Sequence, residues 1–185
     1  LDRQLYINAE DLSQPQLSVG AILLQTNSQT RPTRFDDLVV RRAEGASSHL
    51  QGAALPTNWS VENAPSARLA QEAGGNQYLY LEGVSAARPT MRLIGDLNLM
   101  CRINSFQGGF EIRLRDTGTA ATQLVFSAGG LVINNLNEAG GITAQRRVEN
   151  VYNRGRWENW EFSFVGDRLA IYRDGVLRFE EIAGL

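Results

Sequence analysis

The chain has 185 residues, 43% hydrophobic and 21% charged, with 18 basic residues against 20 acidic ones and a net charge of −2; this is a globular composition for about one domain, with no basic footprint for nucleic acid or an anionic membrane. A single Cys and a single His exclude an internal disulfide and Cys/His zinc clusters, and because every basic residue is Arg there is no lysine for a Schiff base or a phosphate-binding loop. No segment approaches the ~20 apolar residues of a membrane span, and the opening Leu1-Asp2-Arg3 has no signal-peptide pattern and reads as the interior of something longer.

Helical periodicity is scarce, and short alternating runs separated by Gly, Asn and Asp clusters predict an all-β chain. The first strand is Gln4–Asn8, ending in a turn at Ala9-Glu10-Asp11. Ser18–Gln25 and Arg34–Arg41 follow, the latter with Phe35, Leu38 and Val40 as its apolar positions. Leu38 and Val40 share a face, and Phe35 joins them only if the Asp36-Asp37 step bulges. Ala43–Thr57 is rich in Ala, Gly and Ser and reads as a linker. Strands resume at Trp59–Val61, Gln77–Leu81, Thr90–Ile94 and Asn98–Phe106. Gly109–Arg115 alternates most cleanly, with Phe110, Ile112 and Leu114 on one face and Glu111, Arg113 and Arg115 on the other. Gln123–Ser127 and Leu131–Asn135 form a hairpin across Ala128-Gly129-Gly130. Asn159–Val165 presents Trp160, Phe162 and Phe164 on one face, and the turn Arg173-Asp174-Gly175 joins Arg168–Tyr172 to Val176–Phe179.

Strands with one apolar face bury it against a partner sheet. The expected fold is an antiparallel β-sandwich, a jelly roll rather than an immunoglobulin domain, whose Cys…Trp…Cys pattern cannot occur with Cys101 alone. Trp160, Phe162, Phe164, Phe110, Ile112, Leu114, Ile171 and Phe35 are its expected core.

Two regions carry a family resemblance. Gly155-Arg156-Trp157-Glu158-Asn159-Trp160-Glu161-Phe162 followed by Asp167–Leu177, and Gly20–Gln25 followed by Arg34-Phe35-Asp36-Asp37-Leu38-Val39-Val40, resemble stretches of the concanavalin A-like lectin/glucanase superfamily, in its laminin-G-like and family-16-like branches. In those branches a strand like Gly20–Gln25 and a strand like Phe35–Val40 close the domain. Here they come first. The resemblance therefore implies that residues 1–42 are closing strands, of their own sandwich or of a neighbour's, that 43–58 is a linker, and that 59–185 is the body. Asp2–Asn8 also resembles Asp167–Arg173, about 165 residues away, roughly one domain of this type. The chain reads as circularly permuted or as a repeat cut out of phase.

The catalytic branch of that superfamily carries its acidic residues at alternate positions of one strand, because retaining hydrolysis needs two carboxyls ~5–5.5 Å apart. The corresponding strand here runs from Glu111 to Asp116, with Arg113 where the middle acid belongs and Asp116 one position out of step. Flanking guanidiniums keep Glu111 ionised. The expectation is a non-catalytic protein whose Glu111, Arg113 and Arg115 form a solvated outer face with cross-strand pairs. His49 lies in the linker beside Ser47 and Ser48, with no scaffold for a triad. Cys101 falls on an apolar face and reads as a small buried hydrophobe. Trp59, within the sequon Asn58-Trp59-Ser60, reads as a core anchor. Asp36, Asp37 and Asp96 are the carboxylates that would hold calcium, if a cofactor is bound at all, with Asn98 and Asp116 nearby.

Sugar binding needs exposed aromatics beside polar groups. Tyr78 and Tyr80 share a face, Trp157 is out of phase with the apolar set, and these with Arg102, Asn104, Glu111, Arg113 and Arg115 are expected to line the polar outer face of one sheet. The functional expectation is an extracellular or cell-surface recognition or adhesion module, binding a glycan or surface partner. The alternative is a structural subunit, a homo-oligomer assembling through its N-terminal segment into an array or filament. Nucleic acid and a membrane span are not expected.

Overall fold

The computed structural model of the chain describes residues 19–26, 33–42, 47–49, 59–63, 66–71, 73, 77–89, 93–94, 96–105, 109–127, 130–149, 151, 153 and 155–182. The expected strand Gln4–Asn8 and its turn lie outside the described residues. Sixteen strands run through the described ones: β1 (Val19–Thr26), β2 (Thr33–Arg42), β3 (Ser47–His49), β4 (Trp59–Glu62), β5 (Ala67–Gln71), β6 (Gln77–Leu81), β7 (Ser85–Pro89), β8 (Leu93–Ile94), β9 (Leu97–Ser105), β10 (Phe110–Asp116), β11 (Ala121–Ser127), β12 (Gly130–Leu136), β13 (Ile142–Val148), β14 (Glu158–Val165), β15 (Arg168–Arg173) and β16 (Val176–Ile182). Among these residues no helix is long and apolar enough to cross a membrane. Inside the expected linker, β3 pairs with β2, so His49 stands on a strand opposite Val39 rather than in a connecting segment.

The strands form two antiparallel sheets. The first has the order β13-β12-β11-β10-β1-β7-β4, with β8 also paired to β1; the second has the order β16-β15-β14-β9-β2-β6-β5, with β3 also paired to β2. β1 and β2 are neighbours in sequence but lie in different sheets, each with a strand of the body on either side. The arrangement is a β-sandwich consistent with a jelly roll.

Aromatic rings show the two sheets in direct contact. Phe110 and Phe126 of the first sheet stack at 4.3 Å between centroids. Phe126 meets Trp160 of the second edge-on at 5.2 Å, and Phe35 of the second meets Phe110 at 5.8 Å. Such pairs add about 0.5–1.5 kcal/mol each to the area they bury. Every residue of the expected core is buried in this one cluster, which also takes in Trp59 and Cys101. Alternation supplies the mechanism: in β9, Leu97, Leu99, Cys101 and Ile103 face inward while Met100 is exposed. At one lateral edge Arg146 of β13 bonds Glu181 of β16 at 2.8 Å, placing charge on both edge strands.

Two bulges set side-chain direction. In β2 the register with β9 shifts between Asp36 and Val39, the step at which a bulge was required. The buried ring of Phe35 lies before that shift; the side chains of Leu38 and Val40 lie outside the described residues. In β10 the register with β1 shifts between the pairs Ala21–Asp116 and Leu23–Arg113, and Arg115 takes a φ of 53°. That left-handed conformation breaks the alternation that would have put Arg115 beside Arg113.

Candidate functional site

The eight residues expected on one outer face divide between the two sheets. Tyr78 and Tyr80 (β6), Arg102 and Asn104 (β9), and Trp157, just before β14, belong to the second sheet; Glu111 and Arg113 belong to the first. Sheet membership is decided by long-range pairing, which alternation within a strand does not encode. Arg115 leaves both groups. Its guanidinium lies 3.8 Å from the ring centroid of the core residue Phe164, and burial lowers its pKa against the opposing pull of Asp96 and Asp167.

On the second sheet, the inward Leu79 and Leu81 turn Tyr78 and Tyr80 outward, and the inward Cys101 and Ile103 do the same for Arg102 and Asn104. Register then builds one row across four strands: Arg68 opposite Tyr80, Tyr80 opposite Arg34, and Arg34 opposite Asn104. Guanidinium groups cover the rings of this face. Arg68 lies 4.2 Å from the Tyr80 centroid, Arg34 5.1 Å from Tyr78, and Arg102 5.1 Å from Trp157. Tyr78 and Trp157 meet edge-on at 5.9 Å. Cation–π contacts of this kind contribute about 0.5–2 kcal/mol each and hold the rings in place. Arg34 and Arg68 were missing from the sequence expectation, although Arg34 is legible as the outward neighbour of Phe35.

Tyr78 is only 7% exposed, so it supports Trp157 and is not an exposed aromatic. Tyr80 and Trp157 are half-buried and keep surface toward solvent. Burial raises the Tyr80 pKa above 10.0; Glu82 adds to the rise by its charge and a hydrogen bond, and Arg68 opposes it. Asn104 is 5% exposed, and its Oδ1 has no hydrogen-bond partner among the described residues. A buried amide oxygen left without a donor costs on the order of 1–3 kcal/mol. The face therefore combines a fixed indole, a phenol and guanidinium groups.

The first sheet carries a different surface. Glu111 is 4% exposed rather than solvated, and it pairs along its own strand with Arg113 Nε at 2.5 Å. Gln123, Asn134 and Gln145 extend an amide chain across β11, β12 and β13: Asn134 Nδ2 donates to Gln123 at 2.9 Å, and Gln145 Nε2 donates to Asn134 Oδ1 at 2.8 Å. These bonds engage the carbonyl oxygens of Gln123 and Asn134.

The Asp36 and Asp37 side chains lie outside the described residues. Asp96 Oδ1 accepts a hydrogen bond from Gly166 N at 2.7 Å, Asp116 Oδ1 accepts one from Gly118 N at 2.9 Å, and Asn98 Nδ2 donates to Glu161 at 2.8 Å. Among the described residues no three His, Cys, Asp or Glu side chains are placed to hold a metal ion. Glu158, 2% exposed, is an acidic side chain that sequence reading did not single out; its Oε1 accepts hydrogen bonds from Asn153 N and Nδ2 at 3.1 and 2.8 Å, tying the segment before β14 to the sandwich.

Comparison with protein-family models, curated proteins and solved structures returned no significant match for this chain.

Proposed function

We propose that this protein is a non-catalytic, extracellular or cell-surface recognition module of concanavalin A-like type that binds a glycan on the outer face of β5, β6, β2 and β9. The observation that carries the reading is the pair of half-buried rings Trp157 and Tyr80 on one outer face, each held by a guanidinium group, Arg102 over Trp157 and Arg68 over Tyr80. Sugar rings offer apolar C–H faces for an indole or phenol and hydroxyls for the polar side chains beside them. Cation–π contacts hold the rings before a ligand arrives, which reduces the entropy lost on binding. Arg113 in place of a second carboxylate beside Glu111 supports a non-catalytic reading, because retaining hydrolysis needs two carboxyls on one face.

A glycan array probed with the full chain and with Trp157→Ala tests this. The reading expects defined hits that weaken at least about tenfold in the variant, the equivalent of ~1.4 kcal/mol. An array with no hits, or hits of equal strength for both proteins, contradicts it.

A further inference from the structure

We propose that the segment carrying β1, β2 and β3 is exchangeable between two copies of this chain, each copy donating it to the core of the other. The topology supplies the first argument. β1 separates β10 from β7 in one sheet, and β2 separates β9 from β6 in the other. Removing both splits each sheet in two and takes Ile22, Leu24 and Phe35, all 0% exposed, out of the core. Residues 59–185 thus form an acceptor with a strand-wide slot in each sheet, and the N-terminal segment is shaped to fill both slots at once. Edge strands exchange at little consequence to the rest of a sheet; central strands must be present for either sheet to be continuous.

Connectivity supplies the second. β3 pairs with β2 and travels with it, so residues 50–58 join the whole donor to the acceptor at β4. Fully extended, that run spans at most ~30 Å, enough to cross to an adjacent copy. The closed and exchanged forms contain the same strand pairs and the same buried side chains. They differ in whether the connection closes on its own chain or crosses to a second one, so the balance between them depends on chain concentration.

Sequence supplies the third, independent of the pairing. Asp2–Asn8 resembles Asp167–Arg173, which carries β15 of the body. By sequence, the donor segment therefore follows a stretch that resembles one in the acceptor, the order expected when one unit's ending completes another. β2 must find β9 across a long loop, and β1 must find β10 across a longer one, so closure within one chain is slow enough for capture by a neighbour during folding.

Gln25 and Ala86 are Cα partners across β1 and β7, a separation a disulfide spans. Two full-length chains, each with Cys101→Ala, are prepared with Gln25→Cys in one and Ala86→Cys in the other, unfolded, mixed, refolded at rising concentration and oxidised. Exchange predicts a heterodisulfide dimer several-fold more abundant than either chain's homodisulfide, increasing as refolding concentration approaches ~1 mM. A heterodisulfide no more abundant than the homodisulfides at every concentration overturns the proposal. Wild-type chain gives a readout without substitutions: refolded concentrated and then diluted, it should retain a dimer by sedimentation velocity, and a monomer throughout overturns the proposal.

Discussion

Phe35→Ala measures how firmly the N-terminal strands belong to the cooperative core. The ring is 0% exposed and meets Phe110 of the facing sheet edge-on at 5.8 Å. On its own sheet it is opposite Leu79 on one side and Ile103 on the other, both buried. A cavity bounded by strands on both flanks and a ring above collapses poorly, so the loss should fall in the range of about 3–5 kcal/mol seen for buried Phe→Ala changes. For a domain of this size each kcal/mol lowers Tm by about 2–4 °C, giving a fall of roughly 6–20 °C. Unfolding followed by tryptophan fluorescence reports it directly, because Trp59 and Trp160 sit in the same cluster. Glu62→Ala, on an exposed rim, is the control and should stay within about 0.5 kcal/mol of wild type. A Phe35→Ala shift under ~2 °C, or a second transition that leaves the main one unmoved, would refute the claim that β2 belongs to one core with residues 59–185.

Other expectations test separate parts of the account. Burial pushes the Cys101 thiol far up, so a thiol reagent at pH 8 should leave it unmodified in the native chain and label it fully in denaturant; rapid native labelling would show the strand register to be wrong. Gly175 holds a φ of 76° with nothing within 4 Å of an added Cβ, so Gly175→Ala should cost about 1–2 kcal/mol from backbone strain alone, read as a lower denaturation midpoint with an unchanged slope. With the Tyr80 pKa raised in the folded state, stability from this group is intact below pH ~10 and falls as pH rises through the folded value; Glu82→Gln should move the phenol titration, followed by ultraviolet absorbance, to lower pH. No β-glucan hydrolysis is expected, and turnover that disappeared in Glu111→Gln would overturn the non-catalytic reading.

Strand phase was legible wherever one face is apolar and the other charged. β10 and β14 declared their inward residues without reference to any partner, and Asp174-Gly175 declared its hairpin, whose two residues have φ of 50° and 76°. The register shift in β2 falls at the step where the spacing of Phe35, Leu38 and Val40 makes a bulge the condition for a shared face. Besides β3, hidden in the Ala/Gly/Ser-rich stretch, three strands gave no such signal. β5 and β7 are short and built from small or polar residues; the buried Ala86 and Ala87 of β7 fit because β1 and β4 flank it closely, a tertiary fact. β13 is an edge strand with most of its side chains exposed, so it has no buried stripe to read. The site was half legible for the same reason. Alternation turned Tyr80 and Arg102 outward on their strands, but only the order of strands puts Arg68, Tyr80, Arg34 and Asn104 in one row and sends Glu111 and Arg113 to the opposite sheet. Arg115 was lost to a local backbone choice that its charge pattern does not announce.

Nuclear magnetic resonance titration of the isotopically labelled chain with the strongest glycan from the array tests the central claim most directly. The account predicts chemical-shift changes centred on Tyr80, Arg102, Asn104 and the Trp157 indole, with saturation at one site. Changes centred instead on Glu111, Arg113, Gln123 and Asn134 of the opposite sheet, or no saturable change anywhere, would contradict it.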